Sequence, residues 1–338
     1  MEADPIFIHA WWRSGSTYVW SKLREDEACR CYYEPLHEKI AGLNLSTINE
    51  PPDINLVLAF GHPAAQKHYF AEYAELLRSN SLRYFSELAY DRYLLPPSQA
   101  DDKLCNYLNG LISSASAASR RPILCFCRSQ MRSAWIKNAF GGIHLAQIRN
   151  PASQWASFQI DPYFSTNMIV VALKLRNLRP GAFAHIESFE RLAQSLSERP
   201  SLPAEMISKH FIGEFLRRRD CIDVFLVIWI ASALQALACC DYLLDIDLLS
   251  TDLDYRKITS QWFDSVGCSV DFSDCSLPTD ILAHTSSPLF ERTLEHAASA
   301  VRSSAAALVI ADPTAVRKWL PSLSPLSQRV LKLALGDE

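Results

Sequence analysis

Near its start the chain runs an apolar strand pattern, Pro5-Ile6-Phe7-Ile8-His9-Ala10-Trp11-Trp12, straight into Arg13-Ser14-Gly15-Ser16-Thr17, after which Val19, Trp20 and Leu23 recur with helical spacing. Strand, tight turn and helix in this order are the build of an anion-binding loop. Gly15 lets the backbone turn sharply, so successive N–H groups and the positive end of the helix point at one spot, and Arg13, Ser16 and Thr17 add donors. A cation at Arg13 opposes the helix dipole unless an anion sits between them. No G-x-x-x-x-G-K-[ST] occurs in the chain, and Arg13 precedes the turn where a triphosphate loop carries a later Lys. A nucleotide whose reacting group is less charged than a triphosphate fits better.

A second apolar strand, Ile143-His144-Leu145-Ala146-Gln147-Ile148, ends in Arg149-Asn150-Pro151 and is followed by Gln154-Trp155-Ala156-Ser157-Phe158. With Pro151 opening a helix, the Arg149 guanidinium and the Ser157 hydroxyl can converge on a second phosphate. Between these motifs, Cys31-Tyr32-Tyr33-Glu34-Pro35-Leu36-His37 reads as a short strand ending in a carboxylate, and Pro35 biases Glu34 to an extended backbone. Glu34 is the candidate base, because an apolar surround such as Tyr32 and Tyr33 raises a carboxyl pKa into a useful range. Another strand, Ile123-Leu124-Cys125-Phe126-Cys127, leads to Arg128 and Ser129.

Together, Trp12-Arg13-Ser14-Gly15-Ser16-Thr17 and Arg149-Asn150-Pro151 with Ser157 resemble the two phosphate-binding motifs of sulfotransferases that use 3′-phosphoadenylyl sulfate (PAPS). The resemblance covers residues 5–40 and 120–160, with a weaker echo at Tyr242–Leu249, read as a late strand before a helix over Tyr255–Phe263. It implies that Arg13, Ser14, Gly15, Ser16 and Thr17 cradle the 5′-phosphosulfate, that Arg149 and Ser157 hold the 3′-phosphate, that PAP is the product, and that no metal is required. Many carbohydrate- and tyrosine-directed members place a Glu after the second strand, whereas cytosolic steroid and phenol enzymes use a His on the strand before the Arg motif. Here that strand has no His, which favours Glu34 as catalytic base and puts Arg128 near the sulfuryl oxygens or beside Glu34. The acceptor implied is a hydroxyl, with a lean towards a saccharide or glycolipid. The Gly-rich C-terminal loop that cytosolic members fold over the 3′-phosphate is missing.

Plainer readings stand beside these. Glu34 can be a solvated strand-end carboxylate paired to Arg13 or Arg128, His37 a loop histidine or the next base to consider, and Arg128 and Arg132 surface charges. Two rival functions remain: a P-loop small-molecule kinase, which needs Mg²⁺ ligands and a Walker Lys, and a non-catalytic nucleotide-binding protein.

Composition agrees with an enzyme of one large domain over residues 1–338. Lys+Arg number 33 against Asp+Glu 37, a net charge of −4, so no global basic field suggests nucleic acid. The ten cysteines include no C-x-x-C pair and no His at ligand spacing, which argues against a zinc site, so no metal-ligating residues are expected, and for reduced thiols in a cytoplasm. No signal peptide is read in the acidic Met1-Glu2-Ala3-Asp4. The apolar stretch Val224–Cys240, interrupted by Ser232 and Gln235, reads as a buried helix rather than a membrane span. The expected architecture is α/β, a central, mostly parallel sheet of strands near 5–11, 29–34, 122–128, 143–149 and 242–249 flanked by helices, in a P-loop-like sulfotransferase fold with a largely helical C-terminal part. Residues 41–58 read as a loop, 63–118 as two or three helices, and 160–220 as an irregular cap over the acceptor site. After Cys275 the chain reads as helical to Leu333, with Pro313, Pro321 and Pro325 as stops.

Overall fold

A computed structural model of the chain describes residues 3–52, 67–178, 181–197, 216, 218–276, 288–308 and 312–337. Five strands form one sheet: β1 (Ile6–His9), β2 (Cys29–Tyr33), β3 (Arg121–Phe126), β4 (Ile143–Ile148) and β5 (Tyr242–Asp245). The helices that position the sites are α1 (Ser16–Leu23), α2 (Leu45–Asn49), α3 (Ala74–Arg78), α4 (Asp102–Ala117), α5 (Ser133–Phe140), α6 (Pro151–Phe158) and α7 (Pro162–Leu178). They continue with α8 (Glu187–Ser197), α9 (Arg218–Cys239), α10 (Ile246–Thr251), α11 (Leu253–Ser265), α12 (Pro288–Leu308) and α13 (Pro325–Leu335).

The chain folds into two compact units. The first comprises Met1–Ile148 with Cys239–Leu277, and the second Arg149–Ala238 with Pro278–Glu338. In the first unit the strand order is β2-β3-β1-β4-β5 and every pairing is parallel, so the chain is α/β with a central parallel sheet. All four residues of β1, His9 among them, are buried, as expected of a central strand covered on both faces. Val19, Trp20 and Leu23 of α1 are fully buried, and the Trp20 indole donates to the Cys31 carbonyl at 2.8 Å, which ties α1 to β2. On α4, capped by the Asp101 carboxylate accepting from the Leu104 N–H, the buried stripe Leu104, Tyr107, Leu108, Leu111 and Ala115 has helical period. Gly142 has φ 79°, and a Cβ there would lie 2.5 Å from the Pro5 carbonyl oxygen, so only glycine lets the chain enter β4 beside β1.

The connection leaving β1 runs towards one edge of the sheet and that leaving its neighbour β4 towards the other. The carboxyl ends of the neighbours β1 and β4 therefore form the switch point at which open parallel sheets bind ligands. The sheet interior also carries a polar chain. Ser129 Oγ lies 2.7 Å from His9 Nδ1, His9 Nε2 lies 2.9 Å from His144 Nδ1, and His144 Nε2 lies 2.7 Å from the Gly141 carbonyl. That carbonyl can only accept, so His144 donates from Nε2 and accepts at Nδ1; His9 then donates from Nε2, and Ser129 donates to His9 Nδ1. Burial, reinforced by His144 and Lys137, pushes His9 well below the ordinary histidine value. Burial also lowers His144, to about 4.

Several boundaries depart from the sequence reading. The late strand read over 242–249 stops at Asp245, whose carboxylate accepts from the Asp247 and Leu248 N–H groups at 3.0 and 3.1 Å and caps α10. In the stretch read as a loop over 41–58, Asn44 and Thr47 form a capping box that opens α2, while residues 53–66 lie outside the described ones. The irregular cap read over 160–220 contains two helices, α7 and α8, and residues 198–215 lie outside the described ones. The start signal of α7 is the Asp161 carboxylate accepting from the Tyr163 N–H at 2.7 Å with Pro162 in the first turn. Its apolar residues are buried on most sides (Phe164, Met168, Ile169, Val170, Val171, Leu175), so no single-face periodicity advertises it. Pro313 and Pro325 open helical segments rather than stopping them, since a first-turn residue needs no N–H partner.

In the second unit, Phe158 and Trp155 of α6 meet Phe225 of α9 with ring centroids 5.1 and 5.2 Å apart. The Trp319 indole donates to the Leu237 carbonyl at 2.9 Å. A window of α9 has mean hydropathy 2.1 and is 89% buried within the protein, as expected of a core helix.

Candidate functional site

The turn after β1 is built around two residues in the left-handed region, Arg13 at φ 62° and Gly15 at φ 83°. Ser14 folds back between them, its N–H and Oγ both donating to the Trp11 carbonyl at 3.2 and 2.7 Å. Its own carbonyl accepts from Gln147 Nε2 at 2.8 Å, which pins the turn to β4. Gly15 is the residue preceding α1 and brings no side-chain cap, so the first-turn N–H groups keep their positive field without the oxygen that a Ser or Asp would place over them. Ser16 and Thr17 are 8% and 7% exposed, and Thr17 Oγ1 lies 3.1 Å from the Tyr33 hydroxyl. The loop predicted from the sequence is thus a strand-turn-helix anchored to β2 and β4.

Glu34 follows β2, Arg128 lies two residues past β3, and Arg13 four past β1, so all three stand at the carboxyl edge of three adjacent strands. Glu34 is not extended as Pro35 led us to expect; it has φ 38°. The reason is a tight turn: the His37 N–H donates to the Glu34 carbonyl at 2.8 Å across Pro35-Leu36, with proline at the position such turns favour. Glu34 is 9% exposed, which does not fit a solvated strand-end carboxylate. Burial first, and then the Glu34 charge, push the Tyr33 hydroxyl and the Cys127 thiol well above their ordinary values, placing both against this carboxylate. His37 Nδ1 accepts from the Lys39 N–H at 3.2 Å, which leaves Nε2 to carry the proton in the neutral ring, 3.9 Å from Glu34 Oε2.

Arg128 is 1% exposed, which rules out a surface charge. Its guanidinium lies over the rings of Trp12 and Tyr90, 5.1 and 5.2 Å from their centroids, and pairs with Glu38. Burial alone would raise Glu38, but His37 beside it and the Arg128 charge outweigh burial and hold the carboxyl well below its usual range. The sequence reading offered Glu34 as the Arg128 partner; the ion pair is with Glu38. Arg132 is fully buried too, its Nη1 donating to the Leu88 carbonyl at 3.0 Å and its guanidinium 5.8 Å from the Tyr93 centroid, and burial lowers it to about 10.

Arg149 and Ser157 belong to the second unit. Asn150 Oδ1 accepts from the Ala152 and Ser153 N–H groups at 2.9 and 3.3 Å, and Pro151 takes the first turn, so α6 starts where the sequence predicts. Arg149 is 5% and Ser157 1% exposed. The Trp229 indole bridges the Arg149 carbonyl at 3.2 Å and Gln154 Oε1 at 3.0 Å, which fixes the backbone from which the Arg149 side chain leaves.

Sequence reasoning missed Gln147, Glu38 and Tyr90. Gln147 had a signal, an amide inside a buried strand, which needs a partner and finds one in the Ser14 carbonyl, while the Gln147 backbone carbonyl accepts from Gln130 Nε2 at 3.0 Å. Glu38 and Tyr90 had none, since the Arg128 pairing crosses a distance of chain that no local pattern records.

Fold and site together define an α/β protein with a parallel central sheet, whose turn after β1 stands beside a buried carboxylate and a buried arginine. No family model, curated protein or solved structure matches the chain significantly.

Proposed function

We propose that the chain is a PAPS-dependent sulfotransferase that moves a sulfuryl group to an acceptor hydroxyl. The observation that carries the reading is backbone strain. Among the described residues, four non-glycine residues have positive φ, and two of them, Arg13 and Glu34, are the residues the sequence singles out for binding and for proton removal. Each such residue costs about 1–3 kcal/mol and persists where the surroundings over-determine it, typically in a site. Arg13 through Thr17 bind the 5′-phosphosulfate with the uncapped amides of α1, and Arg149 and Ser157 bind the 3′-phosphate. Glu34 takes the acceptor proton as the O–S bond forms, and Arg128, held by Trp12, Tyr90 and Glu38, steadies the charge on the sulfuryl oxygens. The rate then comes from alignment and from fixed charge at the bridging oxygen, in a P-loop-like sulfotransferase fold. A saccharide or glycolipid hydroxyl is the acceptor class this Glu-type base suits.

The test is turnover of PAPS with an acceptor panel, read by mass spectrometry with and without EDTA. Acceptor gaining one sulfuryl group in the presence of EDTA is the expected result. Phosphoryl transfer from ATP that EDTA abolishes would instead make the protein a kinase, and PAP binding with no transfer would make it a nucleotide-binding protein.

A further inference from the structure

In the second unit, three metal-competent side chains from distant parts of the chain meet. His185 lies in the turn before α8, Asp223 near the start of α9 and His296 within α12. One ligand atom from each lies within 4.8 Å of the other two. The two imidazoles meet edge to face with centroids 5.1 Å apart, and Asp223 Oδ1 stands 3.8 Å from His296 Nδ1, beyond hydrogen-bond reach.

Two of the three carry a buried polar atom that makes no hydrogen bond. Asp223 is 4% exposed and its Oδ1 accepts no hydrogen bond; His185 Nε2 is buried and likewise makes none. Burying such groups unpaired is unfavourable, and a native structure that does so on two neighbours facing the same point needs a reason. One cation coordinated by the carboxylate oxygen and both imidazoles supplies it. The three residues also line a cavity of about 510 Å³. Glu187 and Asp220 at this cavity offset Arg191 and Arg219, so the lining carries no net positive charge to repel a cation.

Two imidazole nitrogens with one carboxylate oxygen suit zinc and its first-row neighbours, whereas magnesium and calcium prefer all-oxygen sets. Three protein ligands beside a cavity also leave a coordination position open, the arrangement of reactive rather than closed structural sites. We propose that His185, Asp223 and His296 form a binding site for a zinc-class divalent ion, with one coordination position facing the cavity. The ion joins the turn before α8 to two long helices and stabilises the folded chain by binding it and not the unfolded one. The site is independent of the sulfuryl-transfer proposal, and its test requires no turnover.

Full-length protein stripped with EDTA and dialysed is titrated with Zn²⁺, Co²⁺ and Mg²⁺. Zinc is expected to raise the unfolding temperature, and about one equivalent of cobalt to give the visible d–d bands of a low-coordinate site, while magnesium does neither. His296→Ala, at a half-exposed position where folding is not at stake, and Asp223→Asn should both lose the zinc shift and the cobalt bands. A wild-type protein that gains no stability from zinc would overturn the site, as would a response that survives unchanged in His296→Ala. An equal response to magnesium would overturn the zinc-class assignment. Should Asp223→Asn fail to fold, His185→Gln takes its place beside His296→Ala.

Discussion

At Glu34 the catalytic and structural readings give opposite outcomes. The carboxylate is buried against Cys127 and Tyr33, with His37 Nε2 3.9 Å away. Glu34→Gln keeps the shape and most hydrogen bonds but cannot accept a proton, so PAP should bind nearly normally while turnover falls by roughly 10²–10⁴-fold. If Glu34 only shapes the turn, stability or nucleotide affinity changes instead and turnover at saturating substrate is kept; His37 is then the next base to test. Arg149 yields to calorimetry. Loss of a charged donor to the 3′-phosphate in Arg149→Ala should weaken PAP binding by about 1.5–3 kcal/mol, and unchanged affinity in a folded variant would refute that role.

On the proposed sulfotransferase reading, the turn from β1 into α1 is the element that decides nucleotide binding. A Cβ at Gly15 would approach Ile246 Cγ2 to 3.2 Å, and φ 83° is a conformation that β-branched residues avoid at about 1–3 kcal/mol. Gly15→Val should therefore lower the urea midpoint modestly and abolish the thermal stabilisation that PAP gives the wild type. The double change Ser16→Ala and Thr17→Ala should remove that stabilisation too, with a smaller effect on the midpoint because Thr17 loses only its contact with Tyr33. PAP stabilisation retained in Gly15→Val would move the site off this turn. Sequence pattern located this element, since glycine after a strand and before a helical period is a local signal. It did not disclose the left-handed Arg13, because Trp11, Gln147 and Ser14 hold it there through contacts that close only in the folded sheet.

Stability of the whole molecule should depend on pH through the His9–His144 chain. Both folded-state values lie below the ordinary one near 6.5, so between about 6.5 and 4 the unfolded chain binds protons that the folded one refuses. Unfolding free energy therefore falls as the pH drops through that window, and these two groups add no slope above it. Urea denaturation at a series of pH values checks this, and His144→Gln should flatten the profile by removing one of the two groups. A profile identical to that of the wild type would show that the chain of hydrogen bonds is not what couples folding to acid.

Apolar runs at Ile6–Ile8 and Ile123–Phe126, and the largely apolar Ile143–Ile148 with its internally bonded His144 and Gln147, determine buried parallel strands by themselves, because a strand covered on both faces has no solvent-facing polar side to show. Arg13–Thr17 and Arg149-Asn150-Pro151 are equally local: caps, glycine and proline act within a few residues, so spacing alone placed α1 and α6. Only tertiary structure divided the chain into two units, turned the backbone at Glu34, chose Glu38 as the carboxylate paired with Arg128, and gathered His185, Asp223 and His296. The physical reason is the same in each case. Burial, ion pairing and the meeting of side chains far apart in the chain depend on which surfaces pack together, and no window of sequence contains both partners.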